Sequence, residues 1–244
     1  MADTASLKAM IFAAGLGTRF KPWTDHHPKA LAVVNGKTLL QRNIEYLQNN
    51  GITNVVINVH HFAGQIVNKL MEHKGWGSEI SISDETSSVL ETGGGLVKAR
   101  ALLDGDQPFI TVNADILTDL DIGGLLAFHK EQQPLISFAV SKRETSRYFL
   151  FDKDNRLCGW RNVSTGEEKI VIPGRVLQPL AYSCVVVFEP AVFPLIRQKG
   201  KFSLTDMYLD LAAEHKIVGY EHSGDRWIDV GKTESIAKAE GLFP

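Results

Sequence analysis

Short runs of apolar residues alternate along most of the chain with stretches whose apolar residues recur every three or four positions. The short runs are rich in Val, Ile and Phe, which predicts strands that are buried on both faces. Strands that alternate with helices favour a parallel sheet covered by helices on both faces. The strands predicted in this way are residues 8–14, 54–59, 79–83, 108–113 and 135–140.

The stretches between these strands predict amphipathic helices. Leu40, Ile44 and Leu47 share one helical face, and Gly51 provides a stop signal after it. The other predicted elements are helices at 94–103, 122–131, 190–198 and 204–214, a strand at 217–222 and a last helix from Lys232. The predicted fold class is therefore α/β: one Rossmann-like domain with a mostly parallel central sheet.

Residues 147–188 interrupt the alternation. YFLFDKDNRLCGW contains a turn at DKDN, and EEKIVIPG leads into the apolar run AYSCVVVF. Apolar runs on both sides of a turn predict β-hairpins. We therefore predict one domain over residues 1–244 with a β insertion at 146–188, and no C-terminal β-helix, because no hexapeptide repeat follows.

Composition narrows the class of protein. The chain has 244 residues, 44% of them hydrophobic, which is enough for a full core. Its 26 basic and 28 acidic residues give a formal charge of −2, which argues against nucleic-acid binding. Cys158 and Cys184 match no metal or disulfide spacing, and no signal peptide or membrane span is apparent. These features predict a cytoplasmic protein without membrane contact. We expect a monomer or a small homo-oligomer, although none of these features decides between them.

A glycine-rich turn follows the first predicted strand, in the order GLGTR from Gly15 to Arg19. Glycine lets the backbone approach a ligand, and successive amides in such a turn form an anion-binding nest. Ligands bind at the carboxyl ends of strands in open α/β sheets. A dinucleotide GxGxxG is excluded by Phe20, and a P-loop ending at Lys37 is excluded by Leu31. The turn therefore predicts a phosphate site of another kind.

Two basic residues accompany this turn. Arg19 offers a fork of donors for phosphate oxygens, and Lys29, ten positions later, offers a compact charge. Together they could neutralise a triphosphate and the charge that grows on a departing pyrophosphate. We therefore predict that Arg19 and Lys29 are catalytic.

Two aspartates are candidate ligands for Mg²⁺. Asp115 follows the strand in PFITVNADI, and Asp229 lies in the short apolar run RWIDVG. Magnesium takes one or two carboxylates and otherwise water and phosphate oxygens. A lone aspartate after a strand is usually better explained as a turn residue or a helix cap. The presence of both beside a phosphate turn favours metal binding.

Four segments resemble the nucleoside-diphosphate-sugar pyrophosphorylases, which are sugar-1-phosphate nucleotidyltransferases. They are AAGLGTRFKPWTDHHPKAL, LETGGGLVKA, VNADI and WIDVG, and they occur in the order of that family over nearly the whole chain. LETGGG looks closest to the N-acetylmuramate-1-phosphate uridylyltransferases of cell-wall recycling. The resemblance implies transfer of a nucleotidyl group, favouring UTP, to a sugar 1-phosphate, favouring N-acetylmuramic acid 1-phosphate, with release of pyrophosphate.

The resemblance also implies roles for individual residues. The nucleotide would be bound by Ala13, Ala14, Gly15, Gly17, Thr18, Glu85, Thr92, Gly93 and Gly94. The sugar would be bound by Asn113, Asn162, Tyr182 and Ser183. Arg19 would neutralise the leaving pyrophosphate, Lys29 would bridge the reacting phosphates, and Asp115 and Asp229 would hold Mg²⁺.

The chain departs from the family pattern at three places. Glu91-Thr92 stands where many members have glycine–threonine, and Cys184 stands where a glycine is common beside the sugar. The Glu-Lys-Pro that often meets sugar and phosphate is missing, and residues 160–162 stand in its place. These differences bear on the substrate and not on the reaction class.

Other readings remain open at this point. The same chemistry would serve GTP with mannose or heptose 1-phosphate, or CTP with a phosphorylated amino alcohol. A non-catalytic nucleotide sensor would need no turnover. The pairs His26-His27 and His60-His61 could bind zinc. Neighbours on an extended segment point to opposite sides, which favours local hydrogen bonding or surface exposure instead.

Overall fold

A computed structural model describes residues 7–244. Its strands are β1 (Lys8–Phe12), β2 (Val33–Val34), β3 (Lys37–Thr38), β4 (Asn54–Val59), β5 (Glu79–Asp84), β6 (Phe109–Asn113), β7 (Ile116–Thr118), β8 (Ile136–Ser141), β9 (Arg147–Phe151), β10 (Leu157–Asn162), β11 (Glu167–Ile170), β12 (Gln178–Phe188), β13 (Ile217–Glu221) and β14 (Trp227–Asp229). Its α-helices are α1 (Leu39–Asn49), α2 (Ala63–Glu72), α3 (Glu91–Lys98), α4 (Arg100–Leu103), α5 (Ile122–Gln132), α6 (Leu204–Ala212) and α7 (Ser235–Leu242). Short 3-10 helices occur at Thr18–Phe20, Trp23–Asp25, Lys29–Leu31, Lys74–Gly77 and Pro190–Leu195.

The central sheet has the strand order β5-β4-β1-β6-β12-β8-β13. β1 pairs in parallel with β4 and β6, β4 with β5, and β8 with β13. β12 is antiparallel to both β6 and β8, so one of these seven strands runs against the others. The mostly parallel α/β sheet that the alternation predicts is confirmed.

The two faces of this sheet bury separate apolar clusters. Met10 and Phe12 of β1 belong to the cluster on one face, and Ala9 and Ile11 belong to the cluster on the other. Helices α3, α4 and α6 contribute to the first cluster, and α1, α2 and α5 contribute to the second. Successive side chains of a strand point to opposite faces, which is why β1 reads as a continuous apolar run.

The loops that carry the predicted phosphate turn leave the sheet at one edge. β1 and β6 are parallel neighbours that end side by side, with Phe12 opposite Asn113. The loop after β1 packs on a third, smaller apolar cluster that joins it to β7, β14 and α7. Its buried members are Phe20, Ala32, Val34, Leu39, Leu117, Ile228, Val230 and Ala239. This cluster fixes the turn against the chain segment that carries Asp229.

Strands β9, β10 and β11 extend the sheet beyond the first residues of β12. β9 pairs antiparallel with Gln178, Pro179 and Leu180, and β10 pairs antiparallel with β9 and β11. The antiparallel strands predicted within 147–188 are therefore present. The extent of the domain, 1–244 with a sugar-binding part at 146–188, stays a prediction.

The predicted strand 8–14 ends two residues early, at Phe12. The amides of Ala13 and Ala14 donate to Asn58 Oδ1, at 2.7 and 3.3 Å, instead of to a neighbouring strand. A side chain from β4 therefore turns the backbone out of the sheet where the glycine turn begins.

Three predicted helices also differ in extent. The helix predicted at 94–103 is divided into α3, which begins at Glu91, and α4. Residues 190–195 form a 3-10 helix that contains Pro194, which has no amide donor for a longer helix. The last helix begins at Ser235. No helix within residues 7–244 has the length and apolar character to cross a bilayer.

Candidate active site

The glycine turn packs directly on the stem of Lys29. Gly17 has φ +61°, and a Cβ there would lie 2.9 Å from Thr24 Cγ2 and 3.1 Å from Lys29 Cβ. The Gly17 carbonyl accepts hydrogen bonds from the Thr24 hydroxyl at 2.9 Å and the Phe20 amide at 2.8 Å. Only glycine combines this backbone angle with so close an approach. The turn is thus fixed against the lysine that sequence analysis assigns to catalysis.

A buried pair of side chains supports the turn from behind. Asn58 Nδ2 donates to Glu85 Oε1 at 2.8 Å, while Asn58 Oδ1 accepts from the amides of Ala13 and Ala14. Glu85 is 1% exposed, and its burial raises the pKa of its carboxyl. The Glu85 side chain therefore supports the turn and does not face the cleft. Asn58 was not predicted from the sequence, although a polar residue near the end of the apolar run NVVINV was a usable signal.

The two predicted metal ligands lie side by side. β14 pairs antiparallel with β7, which places Asp229 opposite Ile116, and the Val230 amide donates to the Asp115 carbonyl at 2.8 Å. Asp229 Oδ1 is buried without a hydrogen-bond partner among the described residues. Burial, and then the charge of Asp115, raises the pKa of the Asp229 carboxyl. A buried, unpartnered carboxylate oxygen next to a second carboxylate fits a divalent cation.

Gly231 keeps the space beside this oxygen open. A Cβ at Gly231 would lie 2.6 Å from Asp229 Oδ1 and 2.9 Å from Arg19 Nη2. Within residues 7–244 there is no group of three or more His, Cys, Asp or Glu that could hold a metal. Two carboxylates are enough for Mg²⁺, which takes its remaining ligands from water and phosphate.

Each predicted catalytic cation contacts one of the aspartates. Lys29 Nζ donates to Asp115 Oδ2, and Arg19 Nη2 lies 3.9 Å from Asp229 Oδ2. The Lys29 side chain is 12% exposed, whereas that of Arg19 is 61% exposed. Lys29 is therefore a charge fixed by its ion pair at the base of the cleft, and Arg19 is a more exposed charge at its opening.

Two adjoining cavities make up the cleft. The first has a volume of about 250 Å³ and holds most of the residues predicted to bind phosphate. Its lining includes Ala13, Gly15, Gly17, Thr18, Arg19, Lys29, Thr92, Asn113, Asp115 and Gly231. The second, of about 920 Å³, is lined by residues that include Arg19, Arg143, Arg147, Tyr182, Cys184, Trp227 and Asp229. Arg19 lines both cavities, so they adjoin. We call the first the phosphate cavity, and the second, whose lining includes the predicted sugar-binding residue Tyr182, the sugar cavity.

Several predicted contact residues lie behind the cleft instead of in it. The Ser183 hydroxyl is fully buried, accepts from Arg143 Nη1 at 3.0 Å and lies 2.7 Å from His222 Nε2. Asn162 Oδ1 accepts from the Ser164 amide at 3.0 Å, and Asn162 is not among the residues that line either cavity. Both side chains therefore hold the surrounding chain in place.

The glycines of LETGGG serve the packing of α3. A Cβ at Gly93 would lie 2.3 Å from the ring of Phe202, and one at Gly94 would lie 2.2 Å from the Gly200 carbonyl oxygen. The amide of Gly93 donates to the Phe202 carbonyl at 3.0 Å. Thr92, in contrast, reaches the phosphate cavity, and its hydroxyl accepts from the Leu204 amide at 3.1 Å.

Cys184 occupies a backbone conformation that favours glycine. Its φ is +62°, and the pairing of β12 with β8 shifts register between Tyr182 and Val186, which marks a bulge. The family resemblance places a glycine at this position, and the positive φ is the physical reason for it. Burial raises the pKa of the Cys184 thiol.

Three of the paired histidines, His27, His60 and His61, make hydrogen bonds within the fold, and His26 is exposed. His27 Nδ1 lies 3.3 Å from Gln65 Oε1, and His60 Nδ1 lies 2.6 Å from the Glu85 carbonyl oxygen. Since His60 bonds to Glu85, it belongs to the support behind the glycine turn.

Comparison with known proteins identifies the family of this chain. The sequence profile of the nucleotidyl transferase family matches residues 8–242. The chain is 30% identical to an N-acetylmuramate alpha-1-phosphate uridylyltransferase from Neisseria meningitidis, over 97% of this chain and 98% of that protein. It is 31% identical to the enzyme of the same name from Caulobacter vibrioides, over 95% of each.

The chain is also similar to a guanylyltransferase and to a protein of known structure. The catalytic subunit beta of mannose-1-phosphate guanylyltransferase from Dictyostelium discoideum is 29% identical over 97% of this chain and 64% of that protein. The crystal structure of HddC from Yersinia pseudotuberculosis superposes with a TM-score of 0.77 at 21% identity, covering 98% of this chain and all of that one. The chain therefore belongs to the nucleotidyl transferase family and is a sugar-1-phosphate nucleotidyltransferase.

Proposed function

We propose that this enzyme transfers a uridylyl group from UTP to N-acetylmuramic acid 1-phosphate and releases pyrophosphate. The observation that carries the proposal is the similarity, at 30% and 31% identity over nearly the whole chain, to two uridylyltransferases for that sugar. The cleft supports it, because a phosphate cavity and a larger sugar cavity adjoin at Arg19. We place this reaction in the cytoplasm, as a step that activates a cell-wall sugar.

The phosphate cavity is suited to binding the triphosphate. Backbone amides of the glycine turn from Gly15 to Thr18 would contact its phosphate oxygens, because the turn lines this cavity. Asn58 and Glu85 keep the turn in the required shape. Thr92, at the first turn of α3, would meet the nucleoside, with Gly93 and Gly94 allowing α3 its close packing.

The chemical step needs positioning and charge more than proton transfer. The attacking sugar phosphate is already anionic, so no general base is required. Lys29 would hold the attacking and α-phosphates together, and Arg19 would stabilise the charge on the departing pyrophosphate. Asp115 and Asp229 are the residues that would hold Mg²⁺, which supplies positive charge to the α-phosphate when bound.

The sugar would lie in the larger cavity. Asn113 lines the phosphate cavity near Asp115, and Tyr182 lines the sugar cavity. Asn113 would contact the acceptor. The Tyr182 ring packs against Phe138 and Phe149, and its hydroxyl lies 3.2 Å from that of the buried Tyr208, so Tyr182 would support the cavity wall from behind. Ser183 and Asn162 act from behind the wall, through the hydrogen bonds described above.

A guanylyltransferase that acts on mannose 1-phosphate or a related sugar is the second candidate. It is favoured by the 29% identity to the mannose-1-phosphate guanylyltransferase subunit, although this chain spans only 64% of that protein. A few hydrogen bonds in the base pocket separate uracil from guanine.

The test is pyrophosphate release, with Mg²⁺, across a grid of four nucleoside triphosphates and several sugar 1-phosphates. The grid contains N-acetylmuramic acid, N-acetylglucosamine, glucose, mannose and heptose forms. We expect the highest kcat/KM for UTP with N-acetylmuramic acid 1-phosphate. A maximum for GTP with mannose or heptose 1-phosphate would replace the substrate assignment and leave the reaction class intact.

A further inference from the structure

Arg143, just after β8, is held rigidly in the wall of the sugar cavity. Its Nη1 donates to Ser141 Oγ at 2.7 Å and to Ser183 Oγ at 3.0 Å, and its Nη2 donates to the Tyr182 carbonyl. The guanidinium carbon lies 3.6 Å from the centre of the Trp227 ring. Stacking and three acceptors fix the plane of the guanidinium, so little entropy would be lost when it binds a ligand.

The guanidinium of Arg143 forms no ion pair with any carboxylate of residues 7–244. The acceptors named above are hydroxyls and a carbonyl, and no carboxylate in residues 7–244 lies within 4.0 Å of the guanidinium. Burial lowers the pKa of Arg143, but an arginine stays charged at any physiological pH. A largely buried cation is costly unless an anion pairs with it. The position is therefore suited to a negatively charged ligand.

Further cations surround the same cavity. Arg147 and Lys238 also line it, and neither forms an ion pair with a described carboxylate. Together with Arg19 and Arg143 they give four basic residues, against the carboxylates of Glu144 and Asp229. The sugar cavity is therefore more positive than a neutral sugar requires.

The phosphates of both substrates have other cations available. Arg19 and Lys29 line the phosphate cavity, and both contact the aspartates that would hold the metal. Arg143 and Arg147 line only the sugar cavity. They are thus placed for a group of the acceptor other than its 1-phosphate.

The bulge in β12 is what aims these acceptors at Arg143. The register shift between Tyr182 and Val186 falls at Cys184, where φ is +62°. The Tyr182 carbonyl and the Ser183 hydroxyl, immediately before it, both accept from Arg143. Bulges commonly redirect groups beside active sites.

We propose that Arg143, assisted by Arg147, binds a second anionic group on the acceptor sugar, a carboxylate or a phosphate in addition to the 1-phosphate. The inference rests on the proposed function, because it concerns the acceptor of the same reaction. N-acetylmuramic acid 1-phosphate, which carries a lactyl carboxylate, belongs to this substrate class. N-acetylglucosamine 1-phosphate, which lacks that group, does not.

The test compares kcat/KM for matched pairs of acceptors, using whichever triphosphate gives the highest turnover. One pair is N-acetylmuramic acid 1-phosphate with N-acetylglucosamine 1-phosphate, and the other is glucose 1,6-bisphosphate with glucose 1-phosphate. We expect the native enzyme to prefer the acidic member of at least one pair, and that pair identifies carboxylate or phosphate as the ligand. In Arg143→Gln this preference should fall about tenfold to hundredfold, as for loss of a hydrogen bond to a charged group.

Three further variants separate binding from folding. Arg143→Lys should keep part of the preference, because it keeps the charge. Arg147→Gln, at an exposed residue that threatens the fold little, should lower the preference a few-fold. Lys142→Gln is the matched control, because Lys142 pairs with Glu221 and does not line the cavity. Its preference should equal that of the native enzyme.

Two outcomes would overturn the inference. One is a native enzyme with no preference for the acidic member of either pair. The other is an equal fall for acidic and neutral acceptors in both Arg143→Gln and Arg147→Gln, which would assign these residues to the 1-phosphate or to the fold. Failure of UTP or of N-acetylmuramic acid in the substrate grid would instead count against the proposed function. The paired assay survives that failure, because it uses whichever triphosphate gives the highest turnover and includes the glucose 1,6-bisphosphate pair.

Discussion

Lys29 and Asp115 are 86 positions apart in the chain, yet their side chains are in direct contact. Arg19 and Asp229 form a second, longer pair at the opening of the same cleft. At this scale the site consists of two cations and two carboxylates, with one buried oxygen of Asp229 left without a partner among the described residues. The two cations are suited to binding phosphate oxygens, and the two carboxylates are suited to binding a metal ion.

Replacing Lys29 with alanine should lower kcat by about a hundredfold to a thousandfold, which is the usual cost of removing one donor to transition-state charge. Steady-state pyrophosphate release measures it. The matched control is Lys21→Ala, since Lys21 lies in the same loop but is 61% exposed and pairs with Asp25 at 2.9 Å. Near-native turnover in Lys29→Ala would mean that Lys29 is not catalytic.

The raised pKa of Asp229 predicts a pH dependence of stability in the metal-free protein. The folded state holds this proton more tightly than the unfolded state, whose carboxyl has a pKa of about 3.8. The contribution of Asp229 to the free energy of unfolding therefore falls as the pH rises above 3.8, until the folded-state pKa is passed. Asp229→Asn should abolish this dependence.

Urea unfolding of both proteins between pH 4 and pH 7, without divalent metal, measures the effect. The stability of Asp229→Asn relative to the native protein should increase with pH across that window. A difference that stays constant with pH would mean that the Asp229 carboxyl is not perturbed.

At the scale of elements, the cleft is built where regular structure is interrupted. β1 stops at Phe12 because Asn58 takes the next two amides, and β12 bulges at Cys184 beside the sugar cavity. The short ladder of β7 with β14 brings Asp229 next to Asp115. Each interruption aims a polar group at the cleft, and the continuous sheet behind holds it in position.

The bulge predicts an unusual order of stability at position 184. Cys184→Gly should be more stable than Cys184→Ala by about 1 kcal/mol, because alanine is strained at a positive φ and glycine is not. Cys158 is the matched control, since it is buried in β10 with no positive φ. There alanine should be the more stable replacement, by about 0.5–1 kcal/mol. Thermal and urea unfolding of the four variants measure both differences, and equal stabilities at position 184 would show that the bulge is not strained.

At the scale of the whole molecule, one sheet buries an apolar cluster on each face and leaves the substrate cleft at its carboxyl edge. The third cluster ties the glycine loop, β7, β14 and α7 together, so that distant parts of the chain form one wall of the cleft. A nucleotide and a metal bound at this edge would contact both the glycine turn, near the start of the chain, and Asp229, near its end.

Such binding should stabilise the molecule as a whole. A ligand at 100 times its dissociation constant adds about 2.7 kcal/mol, which for a chain of this size raises Tm by about 5–10 °C. We expect this rise with UTP and Mg²⁺ together and a smaller one with UTP alone. In Asp115→Ala the part that depends on Mg²⁺ should disappear, and its persistence would place the metal elsewhere.

The sequence by itself determined the class of fold and the identity of the chemical groups. Strands that are buried on both faces, such as β1, β4 and β6, appear in the sequence as continuous apolar runs. These runs were enough to predict the parallel sheet. Local patterns also mark the ends of strands. They therefore showed that the glycine turn, Arg19 and Lys29 come after β1 and that Asp115 comes after β6. Ser183, Glu85 and Asn162 show the limit of that approach, because residue type and position cannot tell which way a side chain points.

Only the tertiary structure decided which groups meet. Contacts such as Asn58 with the amides of Ala13 and Ala14, or Arg143 with the bulge of β12 and Trp227, join residues that are far apart in the chain. Their geometry depends on strand order, register and a backbone angle at Cys184. No local periodicity encodes these features, because they result from the packing of the whole chain.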